Sequence, residues 1–393
     1  MTTSRRRSSD SMRVAINLLT DDPDQPSGAH WFWKQTISEM VPLLAEGEEL
    51  HLVVSPRIRR EHSGYGPDIR YITFPWSNER RVLRTLTEQA YAPLRLPRSR
   101  IDVFNTLIAP MIKPAPGLVA HFKTLHAFTN PGALNPMVRL YRRTGYPHTA
   151  KVADAIIINS ESLRQEVETY LDVDPAKLRL IPEAVDHQVF RPGDPEEASV
   201  RLQRERGIEG PFVLFVSSLW AYKNCDGLLR AFAIARRDLP EHRLVVVGSA
   251  ADAGYSAELH ALAAELGIED HVVWVGGIPH HETLPFYRAA AAFVYPSHNE
   301  TFGLPILEAM ACGCPVVTSD RSAMPETAGG VAVLADPEDP ASIAAAILSA
   351  CGDHGAKLGD LGPTRAAQFT WAATAKSTLE VYREVHAAQG DRR

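Results

Sequence analysis

Apolar runs of strand length alternate with longer segments of helical character along most of the chain. Six such runs lie in the first half, at 13–19, 50–56, 69–75, 101–106, 118–126 and 155–160, and six in the second, at 212–218, 243–249, 272–277, 292–297, 315–320 and 331–336. Continuous apolar runs are typical of parallel strands covered by helices on both faces. The pattern predicts an α/β protein with two Rossmann-like, doubly wound parallel-sheet domains.

The two series of runs are separated by a polar stretch that Pro192, Gly193 and Pro195 punctuate. Punctuation of this kind indicates a join between domains. We therefore expect a first domain over 13–188 and a second over 189–362. Residues 1–12 are basic and serine-rich and predict a disordered tail, and the apolar spacing over 363–393 predicts a terminal helix.

Composition narrows the class of protein. Of the 393 residues, 45% are hydrophobic and 22% charged, which is usual for a globular protein, and the net charge of −6 argues against nucleic-acid binding. Four cysteines are too few for a disulfide framework, and Cys312-Gly-Cys314 lacks the second ligand pair of a zinc site. No signal-peptide core and no membrane-length apolar run is present, so we expect a cytoplasmic protein with reduced, mostly buried thiols.

The strongest candidate chemistry follows the run at 292–297. Pro305 suits the first turn of a helix, which should therefore begin at Gly303 or Leu304. Free amides at such a helix start, at the carboxyl end of parallel strands, favour a phosphate. Glu300 and Glu308 would repel that phosphate unless they point at hydroxyls, so sugar or ribose hydroxyls are their natural partners.

Other features point to the same strand ends. Lys223 lies in the turn after the first strand of the second series, and Gly248 follows the second strand. Lys223 is either a point charge for a diphosphate or an ordinary solvated lysine. Taken singly, Glu300 also suits a plain turn and Glu308 an ordinary helix position.

The run from Arg243 to Leu348 resembles the donor-binding half of retaining nucleotide-sugar glycosyltransferases of the GT-B fold, glycosyltransferase family four. The resemblance is carried by VVVGSA, AELHALAAELGI, the long segment from VVWVGG through HNETFGLPILEAMACGCPVVTSD, and SAMPETAGGVAVLADPEDPASIAAAI. The Glu300-x7-Glu308 spacing alone is a weak signal, but its ordered context is highly specific. The resemblance implies two domains facing a cleft, with the donor bound mainly by the second and the acceptor by the first. The terminal helix then crosses back to the first domain.

The resemblance also implies roles in the second domain. Glu308 should hold the ribose hydroxyls, and Glu300 should lie by the 3- and 4-hydroxyls of the donor sugar. Lys223 should neutralise the departing diphosphate, where negative charge develops. The family's Gly-Arg-Leu turn is here Ser217-Ser218-Leu219, so the hydroxyl of Ser218 and turn amides would replace one cation. The remaining donor-binding positions near the helix start and second strand are Thr301, Phe302, Gly303, Leu304 and Gly248.

In the first domain the resemblance assigns two residues. Gly28 stands in the family's glycine-rich loop, where a glycine lets the backbone approach donor and acceptor closely. His126, placed at the end of the strand-like run 118–126, matches the family histidine beside the donor sugar at the reaction centre. His121, earlier in the same run, is expected to be a core residue. Ala127 stands where the family often has an aspartate.

The implied activity is transfer of a hexose with retention at the anomeric carbon, through an oxocarbenium-like transition state in which the donor phosphate deprotonates the acceptor. A double displacement would need an enzyme nucleophile, and the sequence offers no clear one. No metal and no cofactor is expected, because the nucleotide diphosphate sugar is a co-substrate and helix amides with Lys223 replace a divalent ion.

Alternatives remain open at this stage. The chain could be a glycan phosphorylase or sugar-nucleotide epimerase of the same fold, or a catalytically silent subunit that binds nucleotide or glycan. The replaced arginine favours the silent subunit, whereas the presence of His126, Lys223, Glu300 and Glu308 argues against it. The acceptor is a small molecule, a glycolipid or a polysaccharide. Six arginines and two glutamates over 79–100 form either a solvated face or a contact with a membrane surface or an anionic acceptor.

Overall fold

The computed structural model describes residues 11–19, 28–66, 68–74, 88–89 and 92–390. These residues form two compact units. The N-terminal unit takes the described parts of 1–159, 163–182 and 371–393, and the C-terminal unit takes 160–162 and 183–370. The chain therefore passes between the units at 182–183 and at 370–371, where the sequence indicated joins at 188–189 and 362–363.

A sheet of parallel strands forms the centre of the N-terminal unit. Its seven strands run in the order β3-β2-β1-β4-β5-β6-β7. Each of the six apolar runs predicted in the first half contains one strand, whereas β7 has only three residues and gave no recognisable pattern. The strands are β1 (Arg13–Asn17), β2 (Glu49–Val54), β3 (Ile69–Thr73), β4 (Val103–Thr106), β5 (Gly117–His121), β6 (Ala155–Ile158) and β7 (Leu178–Leu180).

Helices cover this first sheet, and the last helix of the chain is one of them. Leu379, Tyr382 and Val385 of that helix are buried in one apolar cluster with residues of β1, β2, β5 and β6. A Cβ atom on Gly117 in β5 would lie only 2.7 Å from Val385 Cγ1, so helix and strand are in close contact. The helices are α1 (Gly28–Met40), α2 (Pro56–Glu61), α3 (Ala92–Arg95), α4 (His126–Thr129), α5 (Pro136–Val152), α6 (Glu161–Tyr170) and the terminal α15 (Trp371–Gly390).

The C-terminal unit repeats the plan with six parallel strands in the order β10-β9-β8-β11-β12-β13. The strand order reverses between β8 and β11, so the loops that follow these two strands diverge and leave a crevice, where open α/β sheets bind ligands. The strands are β8 (Phe212–Val216), β9 (Arg243–Val247), β10 (Val272–Gly276), β11 (Ala292–Tyr295), β12 (Val316–Ser319) and β13 (Val333–Ala335). The helices are α7 (Pro195–Arg206), α8 (Cys225–Ala235), α9 (Ala253–Glu265), α10 (Leu284–Ala289), α11 (Leu304–Ala311), α12 (Met324–Ala328), α13 (Pro340–Ala350) and α14 (Asp353–Ala366).

The predicted fold class of two doubly wound parallel sheets is confirmed.

All four cysteines are free; Cys225, Cys312 and Cys314 are buried and Cys351 is half-buried. Burial raises the pKa of the Cys312 thiol to about 12, so it is an apolar filler rather than a nucleophile. Within the described residues, no helix is long and apolar enough to cross a membrane.

Two local expectations differ from the structure. Strand β5 ends at His121, five residues before His126, because Lys123 and Thr124 interrupt the apolar run; His126 instead begins helix α4. The terminal helix begins at Trp371, since residues 363–366 complete α14 and a short break follows. Residues 1–10 of the predicted tail and half of the arginine-rich stretch over 79–100 lie outside the described residues.

Candidate active site

The site lies at the carboxyl ends of β8 and β11, on either side of the strand-order reversal in the C-terminal unit. Asn224 joins the loops there. Its backbone takes a left-handed conformation with φ of 60°, and its side chain accepts a hydrogen bond from the Gly227 amide to begin α8. The same buried side chain donates to the carbonyls of Pro296 (3.0 Å) and Pro337 (2.7 Å), after β11 and β13. The turn that carries Lys223 is thereby fixed.

Lys223 and Glu300 form a nearly buried ion pair across the crevice. The Lys223 ammonium lies 2.5 Å from Glu300 Oε1, and the two side chains are only 12% and 13% exposed. The Tyr295 hydroxyl accepts from Lys223 (2.7 Å) and donates to Glu300 Oε1 (2.8 Å), and Ser297 Oγ donates to the same oxygen (2.9 Å). Burial opposes protonation of Lys223, but Glu300, Tyr295 and Tyr222 together outweigh it and raise the lysine pKa well above its usual range.

The backbone of Glu300 is held as firmly as its side chain. Ser322, at a left-handed φ of 58°, accepts from the Glu300 amide (3.2 Å) and donates to the Glu300 carbonyl (2.5 Å). The Ala323 amide donates to that carbonyl as well (3.2 Å). The loop after β12 therefore fixes the loop after β11, which preorganises the carboxylate.

Helix α11 begins at Leu304, as predicted. Gly303 precedes it with φ of 91°, a left-handed conformation that side chains disfavour, and Pro305 occupies the first turn. The structure describes no intramolecular acceptor for the amides of Gly303 and Leu304, which leaves them available at the positive end of the helix. Phe302 anchors this corner, because its carbonyl accepts from Thr327 Oγ1 and its ring packs on Phe369.

Glu308 lies one turn inside α11 and is 5% exposed. Its Oε2 accepts from the hydroxyl of the buried Tyr287 (2.9 Å), and its Oε1 lies 2.7 Å from Nε2 of His280. Burial opposes protonation of His280, but the Glu308 charge and hydrogen bond, together with the charge of Asp186, outweigh it and raise the histidine pKa. Each of the two glutamates is thus held by one buried tyrosine and one basic side chain.

Gly248 and Ser218, the remaining predicted positions at these strand ends, have different surroundings. A Cβ on Gly248 would lie 1.8 Å from the Ser217 carbonyl oxygen, so the fold itself requires glycine where β8 and β9 end. The Ser218 side chain is exposed at that turn. The groups that the structure describes around the Lys223 ammonium are Glu300, Tyr295 and Tyr222, and none of them is the second cation of the family pattern.

Three predicted residues lie in the N-terminal unit. Gly28 is exposed at the start of α1, and a Cβ there would meet none of the described atoms within 4 Å, so the described fold imposes no glycine. His126 is half-buried, and its amide donates to Thr124 Oγ1 (3.1 Å). His121 is 3% exposed and packs on Phe32 and Trp33; burial lowers its pKa, and the expectation of a core residue is confirmed.

Sequence reasoning missed the side chains that hold the two glutamates. Tyr295 and Tyr287 belong to apolar segments and have the signature of core aromatics, which in part they are. Their hydroxyls acquire partners only when strand, helix and loop come together. The doubled histidine at 280–281, before a helix start, is the sequence signal that marks this position.

A separate groove of about 430 Å³ lies on the C-terminal unit, and Lys223, Glu300 and Glu308 do not line it. Two of its basic side chains are committed to the protein: Arg288 donates to the carbonyls of Arg191 and Pro192, and Arg201 pairs with Glu205. The preorganised carboxylates and the helix-start amides lie instead at the strand-order reversal, so the crevice there remains the candidate site.

Comparisons with known proteins show what the chain is similar to. The model of glycosyl transferases group 1 matches residues 201–359, and that of glycosyltransferase family 4 matches 39–189. A D-inositol 3-phosphate glycosyltransferase of Frankia alni is 37% identical over 58% of this chain and 58% of that protein. One from Segniliparus rotundus is 34% identical over 62% of this chain and 55% of its own length. The chain thus matches little more than half the length of these curated relatives.

Solved structures share the fold over almost the whole chain. Sucrose-phosphate synthase of Thermosynechococcus elongatus has a TM-score of 0.74 at 22% identity, covering 96% of this chain and 100% of that one. HepE of Anabaena, solved in complex with UDP and glucose, has a TM-score of 0.71 at 19% identity, covering 94% and 99%. The two family models together span most of the sequence, and the chain belongs to the group 1 glycosyltransferases, family four, with the GT-B fold.

Proposed function

We propose that the protein is a metal-independent, retaining glycosyltransferase that moves a hexose from a nucleotide diphosphate sugar to a hydroxyl acceptor. One observation carries the proposal. Around the start of α11, two preorganised carboxylates, Glu300 and Glu308, flank the free amides of Gly303 and Leu304, with Lys223 beside them. This set of groups offers hydroxyl acceptors and phosphate donors side by side, as a nucleotide sugar requires.

Glu308 would accept from the ribose hydroxyls through the lone pairs that Tyr287 and His280 leave unused. The amides of Gly303 and Leu304, with Phe302 and Thr301 beside them, would meet the sugar or the distal phosphate. The Lys223 ammonium, which pairs with Glu300 in the unliganded chain, would also pair with the leaving diphosphate. Negative charge grows on that diphosphate in the transition state. Glu300 would then accept from the sugar hydroxyls.

The state of Glu300 favours a proposed retaining reaction that forms no covalent intermediate with the enzyme. Its Oε1 accepts from Lys223, Tyr295 and Ser297, which makes it a weak nucleophile for a covalent intermediate. In the proposed reaction the bond between the anomeric carbon and the phosphate oxygen breaks, and the acceptor oxygen bonds to that carbon on the same face. The acceptor proton passes to the leaving phosphate oxygen.

The first test is calorimetric titration and thermal shift of the full chain with UDP, GDP, TDP and ADP and their common sugar conjugates, with and without chelator. We expect one nucleotide family to bind, and chelator to leave its affinity unchanged because amides and Lys223 carry the phosphate contacts. Binding that requires a divalent ion would contradict metal independence. A chain that no nucleotide stabilises would contradict the donor site.

The acceptor is best sought among phosphorylated polyols first, since the relatives from Frankia alni and Segniliparus rotundus are named D-inositol 3-phosphate glycosyltransferases. Product formation from the bound donor, followed by mass spectrometry, would identify the transferred sugar, and NMR of the product would show the anomeric configuration. The silent-subunit alternative is favoured by the replaced arginine at Ser218. It predicts donor binding with neither transfer nor slow donor hydrolysis.

A further inference from the structure

Two adjacent histidines follow β10, and their side chains have different surroundings. His280 Nε2 lies 2.7 Å from Glu308 Oε1, whereas His281 is exposed and lines the groove on the C-terminal unit. Both belong to the single 3-10 turn over His280–Thr283. His280 therefore belongs to the candidate nucleoside site, and His281 serves as a matched control.

The His280 imidazole is held in place by its packing. Its ring meets the buried Phe190 ring edge-on at 5.1 Å, and Phe190 in turn packs on Tyr287. Thr283 Oγ1 donates to the His280 carbonyl (2.7 Å), which fixes the backbone of the turn. The Glu308 carboxylate is consequently held from its exposed side by His280 and from its buried side by Tyr287, so its orientation is set before any ligand arrives.

Neighbouring carboxylates also favour the protonated form of His280. The charged groups that the structure describes acting on His280 are the carboxylates of Glu308 on α11 and of Asp186 in the turn before α7. Together they overcome the burial that opposes protonation and raise the histidine pKa above its ordinary value of 6.5. The Glu308 side chain is 7% exposed and the His280 side chain 38%, so the pair is shielded on the carboxylate side only. A protonated imidazole there cancels the carboxylate charge that would otherwise repel the phosphates of a nucleotide.

We infer that His280 is a positioning residue for the nucleoside: it orients Glu308 toward the ribose and, when protonated, strengthens binding of the anionic donor. The inference rests on the proposed function, in which Glu308 is the ribose ligand. The direction with pH follows from the raised pKa. Donor binding is strongest at low pH, where His280 is protonated, and weakens as the pH rises through the folded-state pKa of His280. By linkage, donor binding draws a proton onto the imidazole.

The test is calorimetric titration of the full chain with UDP-glucose and GDP-mannose between about pH 6 and about pH 8.5. These probes are suitable because neither of their phosphates changes charge in that range. Repeating the titration in buffers of different ionisation enthalpy counts the protons taken up. We expect the parent to lose about tenfold in affinity across the range and to take up a fraction of a proton near the His280 pKa.

Three variants separate positioning from charge. His280→Gln keeps an N–H donor without a titrating group, so we expect a flat pH profile and no proton uptake. His280→Ala should show a flat profile as well, with affinity at every pH below that of His280→Gln. His281→Gln should retain the parental profile. An imidazole titration by NMR on the unliganded chain adds an independent measurement, in which Glu308→Gln should lower the pKa of His280.

Each failure has a distinct signature. If the parent binds a donor and His280→Gln has the same pH profile, this inference is overturned and the proposed function stands. An imidazole pKa that Glu308→Gln does not move would overturn it too. A parent that binds no nucleotide sugar at any pH would overturn the proposed function, and this inference with it.

Discussion

At the scale of single residues, the site consists of charged side chains that are largely buried and that form ion pairs or hydrogen bonds with other side chains. Lys223 and Glu300 are almost fully buried, and removing one member of such a pair leaves the other without compensation. Tyr295 touches both, so it carries the hydrogen bond that keeps the pair in one geometry. The pair therefore contributes to folding as well as to the proposed chemistry.

We predict that Lys223→Met lowers the free energy of unfolding by about 3 kcal/mol, because it leaves the Glu300 carboxylate buried and unpaired. Lys223→Met combined with Glu300→Gln removes both charges and should recover most of that loss. Denaturant unfolding of the parent, the two single variants and the double variant gives the coupling energy.

The same four proteins separate stability from activity. All three variants should transfer no sugar, even where the double variant is as stable as the parent, since Lys223 and Glu300 are both assigned to the donor. Additive losses of stability would contradict the ion pair as described. Parental transfer rates in Lys223→Met would contradict the assignment to the leaving diphosphate.

At the scale of elements, the site depends on how one helix begins. Helix α11 can present its first amides only because Gly303 turns the chain through a left-handed conformation at φ of 91°. Any side chain at that position is strained, and a Cβ would also approach Ile306 Cδ1 to 3.0 Å. Gly303 thus determines both the shape of the loop before α11 and the position of the first amides of that helix.

We predict that Gly303→Ala lowers the free energy of unfolding by about 1–2 kcal/mol and weakens donor affinity by about tenfold, since relief of the strain moves the amides. Thermal unfolding and calorimetry measure the two effects. Gly28→Ala is the contrasting variant: no described atom opposes its Cβ, so stability should stay within about 0.5 kcal/mol. Unchanged donor affinity in Gly303→Ala would show that the helix start does not contact the donor.

At the scale of the whole molecule, the chain returns to its first unit after completing its second. Helix α15 supplies Leu379, Tyr382 and Val385 to the core of the N-terminal unit, and Arg383 pairs with the nearly buried Glu48 at 2.7 Å. The N-terminal unit therefore cannot complete its core until the last residues of the chain are in place. Its stability and that of the C-terminal unit should respond to different substitutions.

We predict that Leu379→Ala lowers the stability of the N-terminal unit by about 3 kcal/mol through the cavity it leaves. Nucleotide affinity in the C-terminal unit should change little. Leu361→Ala is the matched control, because Leu361 is 54% exposed on α14 and should cost less than about 0.5 kcal/mol. Calorimetric unfolding with and without a bound nucleotide resolves the two units, and a Leu379→Ala effect on the nucleotide-stabilised transition alone would contradict the division.

Much of the architecture could be predicted from the sequence, because buried parallel strands need continuous apolar runs whatever their neighbours are. All twelve predicted runs contain a strand, and the start of α11 follows from Gly303 and Pro305. The element ends were less accurate where a single run held two kinds of structure. The run over 118–126 ended as a strand at His121, and its remainder became a turn and the first residue of α4.

The sequence by itself determined the two doubly wound sheets, the strand ends that carry chemistry, and the types of group gathered there: two carboxylates, one lysine and a helix start. Only the tertiary structure decided the pairings. Tyr295 and Tyr287 lie in apolar segments, and the doubled histidine at 280–281 marks a position without identifying its partner, so no local pattern assigns these side chains to Glu300 and Glu308. Periodicity records which side chains must leave water, whereas a hydrogen bond between distant residues depends on strand order and loop geometry, which exist only once the chain has folded.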